Sequence, residues 1–288
     1  MNESRVLFCF GLGYSAKALA RRLNVKGWSV RGTCQTIERR YALEALGFCV
    51  SKFDGITPIK TPEMFEGVTH FLLSIPPKEN LDPALFHHNI EIANQNPHWL
   101  GYLSTTGVYG DQNGGWVDEN SALKPSNARS KQRVKVEQDW LNWGQRNGVP
   151  VQIFRLAGIY GPKRSVFEKI KEKKAKRIGK PGHLFSRIHV EDIATVLEAS
   201  IAKPQGGKIY NVCDDEPASQ SDVISFAYSL MGRSPPPEIP LEKSQLSSMA
   251  LSFWRDNRRV SNAKIKQELG VKLAFPSYKD GLNSIFNR

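Results

Sequence analysis

The stretch Arg5–Ala16, RVLFCFGLGYSA, runs from an apolar segment straight into a glycine-rich turn. Arg5–Phe10 reads as a buried strand, and Ser15–Leu23 as a helix whose apolar stripe passes through Ala16, Leu19, Ala20 and Leu23. Between them, Gly11-Leu12-Gly13-Tyr14-Ser15-Ala16 has G-x-G-x-x-A spacing. The first glycine permits a tight turn, the second lets the backbone approach a pyrophosphate, and Ala16 sits where helix and strand pack closely. The helix start offers free N–H groups and a positive dipole end to phosphates. Alone the spacing is a weak signal. Its place in the first strand–helix connection points to dinucleotide binding.

Further along, short apolar runs alternate with helical patterns. Ser29–Cys34, Phe48–Phe53, Thr69–Ile75, Leu100–Thr105 and Pro150–Ala157 read as strands; Ile37–Leu46, a segment near Leu85–Gln95, and Asn127–Gln145 read as helices. Continuous apolar strands separated by helices predict an α/β fold, a doubly wound parallel Rossmann sheet. After Gly161-Pro162 the texture changes: Lys163–Lys180 carries nine basic residues. Arg187–Ser200 then reads as a strand entry and helix, and Lys208–Val212 as a last strand. Helices are expected at Ser221–Met231 and Ser261–Leu269, the latter stopped by Gly270. Residues 1–162 are therefore expected to form the dinucleotide-binding domain, with a last strand and helix returned by about 187–213. Residues 163–186 and 214–288 are expected to form a smaller substrate-binding lobe.

The 288 residues include 40 Lys+Arg and 28 Asp+Glu, a net charge of +12, with 40% hydrophobic residues, as in an ordinary globular protein. No apolar run is long enough to span a membrane, and the N-terminal run is too short for an export leader. Cys9, Cys34, Cys49 and Cys213 lack CxxC spacing, which argues for reduced thiols, a cytoplasmic setting, and no disulfide framework or metal site. The basic run lacks interleaved aromatics for base stacking, so no nucleic-acid partner is expected.

An NAD site places an acid about twenty residues beyond the glycine turn, for the ribose 2′-hydroxyl. Here that count reaches Thr33-Cys34-Gln35, with Arg31, Arg39 and Arg40 nearby. NADP is the expected cofactor, with NAD as the alternative if the arginines are only solvated helix charges. Gln35 and Arg39 join the candidate cofactor residues.

With FGLGYSA (10–16), Asp54-Gly55, LLSIPP (72–77), STTGVYGD (104–111), WVDE (116–119), FRLAGIYGP (154–162), RIHVEDIA (187–194), YNVCDDEP (210–217) and RRVSN…ELG (258–270), nearly the whole chain resembles the extended and atypical short-chain dehydrogenase/reductase family, in its NAD-dependent epimerase/dehydratase-like branch. The resemblance implies that Gly11, Gly13, Tyr14 and Ser15 line a pyrophosphate. It puts Asp54 at the adenine edge, and Ser74 and Ile75 beneath the adenosine ribose. Thr105 matches the family's catalytic Ser/Thr, which hydrogen-bonds the substrate. Tyr109 follows in the same motif, and Arg187 and His189 open the segment that reaches the substrate lobe.

The departures are as informative. The family uses Tyr-x-x-x-Lys followed by a Glu eight residues after the Tyr; with that Glu at Glu137, the pair becomes Arg129 and Arg133. No tyrosine lies between Tyr109 and Tyr160, and Gly158 stands where an asparagine is common. Arg133 is expected to hold cofactor ribose as the lysine does. Arg129 stays protonated and cannot relay a proton, but its planar fork suits an anionic substrate. Four residues apart, the two arginines are expected to share a helix face around an anion. The sequence supports an NAD(P)-dependent oxidoreductase or epimerase/dehydratase-like enzyme acting on a small, anionic or sugar-like molecule, with Thr105, Tyr109, His189 or the substrate's own group as alternative proton donors. A non-catalytic NAD(P)-binding sensor or scaffold is the alternative. Val136, Trp140, Leu141 and Trp143 give the long helix extra apolar bulk, for a homodimer interface or for the chain's own core.

Overall fold

Five consecutive apolar residues, all buried, make Val6–Phe10 (β1) a strand covered on both faces. The computed structural model describes residues 5–287; the first four residues, part of the stretch read against an export leader, lie outside the described residues. After β1 follow α1 (Tyr14–Val25), β2 (Ser29–Cys34), α2 (Ile37–Glu44), β3 (Cys49–Lys52), β4 (His70–Leu73), α3 (Pro83–Asn94), β5 (Trp99–Thr105), β6 (Trp116–Val117) and α4 (Ala128–Asn147). The chain continues through β7 (Val151–Leu156), β8 (Gly158–Tyr160), α5 (Val166–Lys171), β9 (Ile178–Gly179), β10 (Arg187–His189), α6 (Val190–Ile201) and β11 (Lys208–Val212). It closes with α7 (Gln220–Leu230), β12 (Ile239–Pro240), α8 (Ser248–Arg255), β13 (Arg259–Val260), α9 (Ala263–Leu269) and α10 (Tyr278–Phe286).

Seven strands form one sheet in the order β3-β2-β1-β4-β5-β7-β11. β1 pairs in parallel with β2 and β4, β2 with β3, and β4 with β5. The strand order reverses between β1 and β4, and in open α/β sheets such a switch point is where ligands bind. The expected Rossmann architecture is present.

Two compact units divide the chain. The first comprises Met1–Ser104, Gln132–Arg155 and Ile193–Tyr210; the second comprises Thr105–Lys131, Leu156–Asp192 and Asn211–Arg288. The first unit's core stacks Phe8, Phe10, Phe65 and Phe71 against Tyr102, Val136, Trp140 and Trp143. Trp140 is fully buried and Trp143 is 5% exposed, their rings edge to face at 5.2 Å. The apolar bulk of α4 therefore serves the chain's own core, and the observation that suggested a dimer through this helix no longer supports one.

The second unit builds its core from Phe167, Ile170, Ala218, Ala227, Tyr278 and Leu282. The pairs β8–β10, β9–β12 and β6–β13 are short parallel ribbons. Within the basic run, α5 buries Phe167 and Ile170 and starts with a capping box between Ser165 and Glu168. Part of the run is thus a capped amphipathic turn of helix. Gly270 ends α9 in the left-handed conformation, φ 72°, as a C-terminal cap should.

Candidate functional site

The glycine turn is locked from below and open above. Gly11 has φ 89°, and a Cβ there would lie 2.8 Å from Ile75 Cγ2 and 3.1 Å from Ser74 Oγ. Its N–H donates to Thr33 Oγ1 at 2.8 Å, and Leu12 N–H donates to Thr33 O at 2.8 Å. Ser74 Oγ donates to the carbonyls of Phe10 and Gly11, which ties the end of β4 to the turn. Ala16 is fully buried beneath the turn. At Gly13 the picture reverses: a Cβ would meet only Gly11 O, at 4.0 Å. Gly13 caps α1 and supplies no side-chain bond to the helix start, which begins at Tyr14 and Ser15. An open approach over an uncapped helix N-terminus suits a pyrophosphate.

Around this turn the candidate residues differ in availability. Gln35, Arg39 and Asp54 are exposed. The N–H groups of Thr57 and Ile56 hold the Asp54 carboxyl below the usual range, and both donate to Oδ1. Arg31 donates to the carbonyls of Glu63, Met64 and Glu66, and Arg40 pairs with Glu44. Arg31 is thus held within the fold and Arg40 in an exposed helix pair, whereas Arg39 has no ion-pair partner among the described residues. Arg133 donates through one nitrogen to Tyr102 Oη and Leu103 O, both at 2.8 Å. On the same helix Glu137 is 3% exposed. It accepts from Ser104 Oγ at 2.5 Å and from Arg155 Nη2 at 2.8 Å. Sequence reading used Glu137 only to align the helix and missed that network, whose partners lie 33 and 18 residues away.

The second unit holds the substrate candidates. Thr105 Oγ1 accepts from Gly107 N–H at 3.1 Å, capping a short 3₁₀ turn. Arg129 is exposed and has no hydrogen-bond or ion-pair partner among the described residues. The two arginines expected to share an anion therefore differ, one Arg133 nitrogen being engaged within the fold and Arg129 having no such partner. Tyr109 is fully buried and its hydroxyl donates to Asn211 Oδ1 at 2.7 Å. Glu119 accepts from Asn211 N–H. His189 is likewise buried: its Nδ1 accepts from Glu191 N–H at 3.2 Å, and its ring lies 4.0 Å from Phe275. Arg187 donates to the carbonyls of Phe185 and Ala218, and burial lowers its pKa.

Three buried polar groups escaped the sequence reading. Ser130 is 6% exposed. His183, 2% exposed, lies between Phe185 at 4.6 Å and Trp254 at 5.3 Å, with neither ring nitrogen hydrogen-bonded. Burial pushes its pKa down to about 4. Asp214, 1% exposed, has no hydrogen bond at either oxygen, and burial pushes its pKa up to about 8. A lone serine, histidine or acid in a loop carries no periodic signal; only the DD pair at 214–215 stood out, inside a longer motif.

The model of the NAD dependent epimerase/dehydratase family matches residues 11–213. Protein YeeZ of Escherichia coli (strain K12) is 25% identical over 92% of this chain and 94% of its own. A functionally unknown conserved protein from Silicibacter pomeroyi superposes with a TM-score of 0.90 at 45% identity, covering 98% of both chains. The UDP-glucuronic acid 4-epimerase of Bacillus cereus, solved in complex with NAD, superposes at 0.75 with 16% identity, over 98% of this chain and 97% of that one. The last of these is a likeness of fold.

Proposed function

The chain belongs to the NAD dependent epimerase/dehydratase family, and from that premise we propose that it binds a nicotinamide dinucleotide on the Gly11–Ala16 turn and acts on a sugar-nucleotide or other anionic small molecule. The observation that carries this is the open approach at Gly13 over the uncapped start of α1. Gly11, Gly13, Tyr14 and Ser15 would face the pyrophosphate, with Asp54 toward adenine and Ser74 and Ile75 beneath its ribose. Arg133, held on Tyr102 and Leu103, would present its remaining donors to the nicotinamide ribose. When bound, such a group supplies reversible hydride transfer at a substrate carbon. The chain's own part is to hold the substrate and steady charge at its oxygen, through Thr105 and Arg129. A guanidinium offers only donors, so Arg129 would bind and not relay. A fold-level neighbour that acts on UDP-glucuronic acid with NAD supports the substrate class.

The preference for NADP over NAD rests on Arg39, exposed on the first turn of α2 without an acid at residues 33–35. The missing tyrosine favours the second reading, a non-catalytic sensor or scaffold. A homodimer stays within the proposal through Phe86 and Ile90, 61% and 66% exposed and one turn apart on α3. Three buried and one exposed free thiols fit a reducing cytoplasm.

Calorimetric titration of NAD and NADP tests the proposal. Gly13→Val should abolish binding of both with the unfolding midpoint unchanged, because the added side chain enters the ligand's approach and no protein atom. Arg39→Ala should weaken NADP alone, by about tenfold or more. Unchanged binding in folded Gly13→Val would overturn the site, and tighter NAD in the wild type would overturn the preference. Transfer of deuterium from labelled NADPH to any product separates the enzyme from the sensor.

A further inference from the structure

His88 sits in the middle of α3, and no motif assigns it a role. It is fully buried, and at its place the backbone leaves helical angles, with φ −135° and ψ 16°. Its ring reaches beyond its own helix: Nε2 accepts from the Ile59 N–H at 3.0 Å, a buried bond between residues 29 apart. Nδ1 lies 3.3 Å from Glu91 Oε1. Because Nε2 accepts, the imidazole is neutral and carries its proton on Nδ1, which donates to Glu91.

What the ring holds is the segment that follows β3. Of residues 54–60, Ile59 alone is buried. Asp54 Oδ1 accepts from the N–H groups of Ile56 and Thr57, which folds the start of the segment into a turn and uses one of the two carboxylate oxygens. Gly55 lies against the first turn of α3: at φ 78°, a Cβ there would come 3.2 Å from Pro83 Cγ. Phe53, at the root of the segment, packs edge-on against the His88 ring at 5.5 Å. The segment is thus fastened to α3 by shape at Pro83 and by a hydrogen bond at His88, all within the first unit. A ring that cannot accept leaves the Ile59 N–H unmet in the core, and an unmet buried donor favours release of the segment toward water.

We propose that His88 is the positioning residue for the adenine end of the dinucleotide site, setting the Asp54–Ile59 segment so that Asp54 meets the nucleotide. The adenine end rests on the proposed function; the hold on the segment does not. The hold works only with the neutral ring, since protonation puts a hydrogen on Nε2 where it meets the Ile59 N–H. Burial is the largest cause that keeps the ring's pKa below the ordinary imidazole value; Glu91 opposes it, and His87 on the same helix adds to it. The other elements packed on the ring bring Phe10 of β1, Phe53 beyond β3, and Phe65, none of them charged. The hold is therefore full at neutral pH and is released on acidification.

The test uses the full chain. Hydrogen exchange of the Ile59 amide, read by NMR without ligand, reports the hold; calorimetric titration with NAD, and separately with AMP, reports the adenine end. His88→Phe keeps a flat ring and removes the acceptor, whereas His88→Gln offers an oxygen in its stead and does not titrate. In His88→Phe the Ile59 amide should lose protection, and NAD and AMP should both bind about five- to tenfold more weakly, as for the loss of one hydrogen bond. His88→Gln should recover most of the protection and of the affinity. Between pH 8 and pH 5 the wild-type affinity for NAD should fall while that of His88→Gln stays level; Asp54, held below the usual carboxylate range by its backbone donors, stays charged throughout. A merely structural histidine would shift unfolding midpoints and leave the two profiles parallel. The wild-type profile needs no substitution, so it decides the matter even where His88→Phe fails to fold. Unchanged affinity in a folded His88→Phe, or parallel profiles, would overturn the proposal. Absence of NAD binding in the wild type would overturn the proposed function and the adenine end with it, while Ile59 exchange still reads the hold on the segment.

Discussion

In the first unit the buried carboxylate of Glu137 meets Ser104 Oγ on one oxygen and the Arg155 guanidinium on both. In the second, Asp214 is buried as deeply and neither of its oxygens has a donor at full hydrogen-bond geometry. The Arg187 backbone N–H and guanidinium only oppose the upward push of burial there, while His183 has both ring nitrogens unmet. The first unit's own exceptions, Asp82 Oδ2 and Trp140 Nε1, interact with each other, a contact that lowers the Asp82 pKa against the larger upward push of burial, which brings it to about 6. Buried polar groups are nearly always satisfied where they serve only the fold, so those left unmet concentrate where ligands or strain are accommodated. The glycine cradle sits on the unit that closes off its Glu137 carboxylate; the substrate candidates sit on the unit that holds Asp214 and His183.

Breaking the closed network should have the largest effect. Glu137→Ala leaves the Arg155 guanidinium, itself 2% exposed, without its carboxylate in the core. Loss of one partner of a buried pair typically costs about 3–5 kcal/mol, read from urea unfolding. The double variant Glu137→Met with Arg155→Met should recover much of that loss, because apolar residues of similar size are tolerated where a pair is removed whole. A small loss in the single variant would mean that water reaches the pair, and the contrast between the units would weaken.

Asp214 sharpens the comparison from the other side. Burial is the main cause of its raised pKa, opposed by Arg187 and reinforced by Asp215 and Glu216. Unfolded, an aspartate titrates near 3.9; folded, this one titrates at about 8. Between those values the folded chain holds the extra proton, so stability is full below pH 4 in this respect, falls as pH rises, and levels off above 8. The slope is about 1.4 kcal/mol per pH unit at most. Asp214→Asn mimics the protonated form and should remove the slope, stabilising the chain at pH 9 by about 1–3 kcal/mol. Parallel pH profiles of unfolding for the two proteins would show that the carboxylate finds a donor in solution.

What the sequence made legible follows the same division. The strand VLFCF, the turn at Gly11–Ala16 and the helix stripe behind it are local patterns, so β1, α1 and the cradle could be read residue by residue. Lys208–Val212 and the Gly270 cap were equally local. The second unit is assembled from two-residue strands such as β6 and β13, which join residues 116–117 to 259–260; no window of sequence contains both halves. Helices α8 and α10 went unread for lack of a long stripe. Arg31, Arg39 and Arg40 looked alike in sequence, yet three carbonyls take Arg31 and Glu44 takes Arg40, and only folding tells them apart. His183 gave no signal because its meaning lies in what does not bond to it.

His183 should give the smallest effect and a pH signature opposite to that of Asp214. Its imidazole lies against Phe185 and Trp254, and among the described residues no donor or acceptor meets its nitrogens. His183→Phe keeps a flat ring of similar size and removes the unmet polar atoms, so at pH 7 it should be neutral or stabilising by about 1 kcal/mol, since replacing unsatisfied groups by apolar ones of like shape carries no hydrogen-bond loss. Burial is the largest cause that holds the folded pKa at about 4, with Lys180 and Arg258 adding to it and Asp111 and Asp256 opposing. The unfolded ring titrates near 6.5. The neutral ring's contribution is therefore present above 6.5 and is lost as pH falls toward 4, because only the unfolded chain takes up the proton in that range. Wild type should lose stability between pH 6.5 and 4 more steeply than His183→Phe, with His70, also held at about 4 mainly by burial, as a shared background in both. Thermal unfolding at pH 7 and pH 4.5 measures both quantities. If His183→Phe destabilises at pH 7, the nitrogens are met by ordered water in a cavity of the second unit, and that unit is then as satisfied as the first.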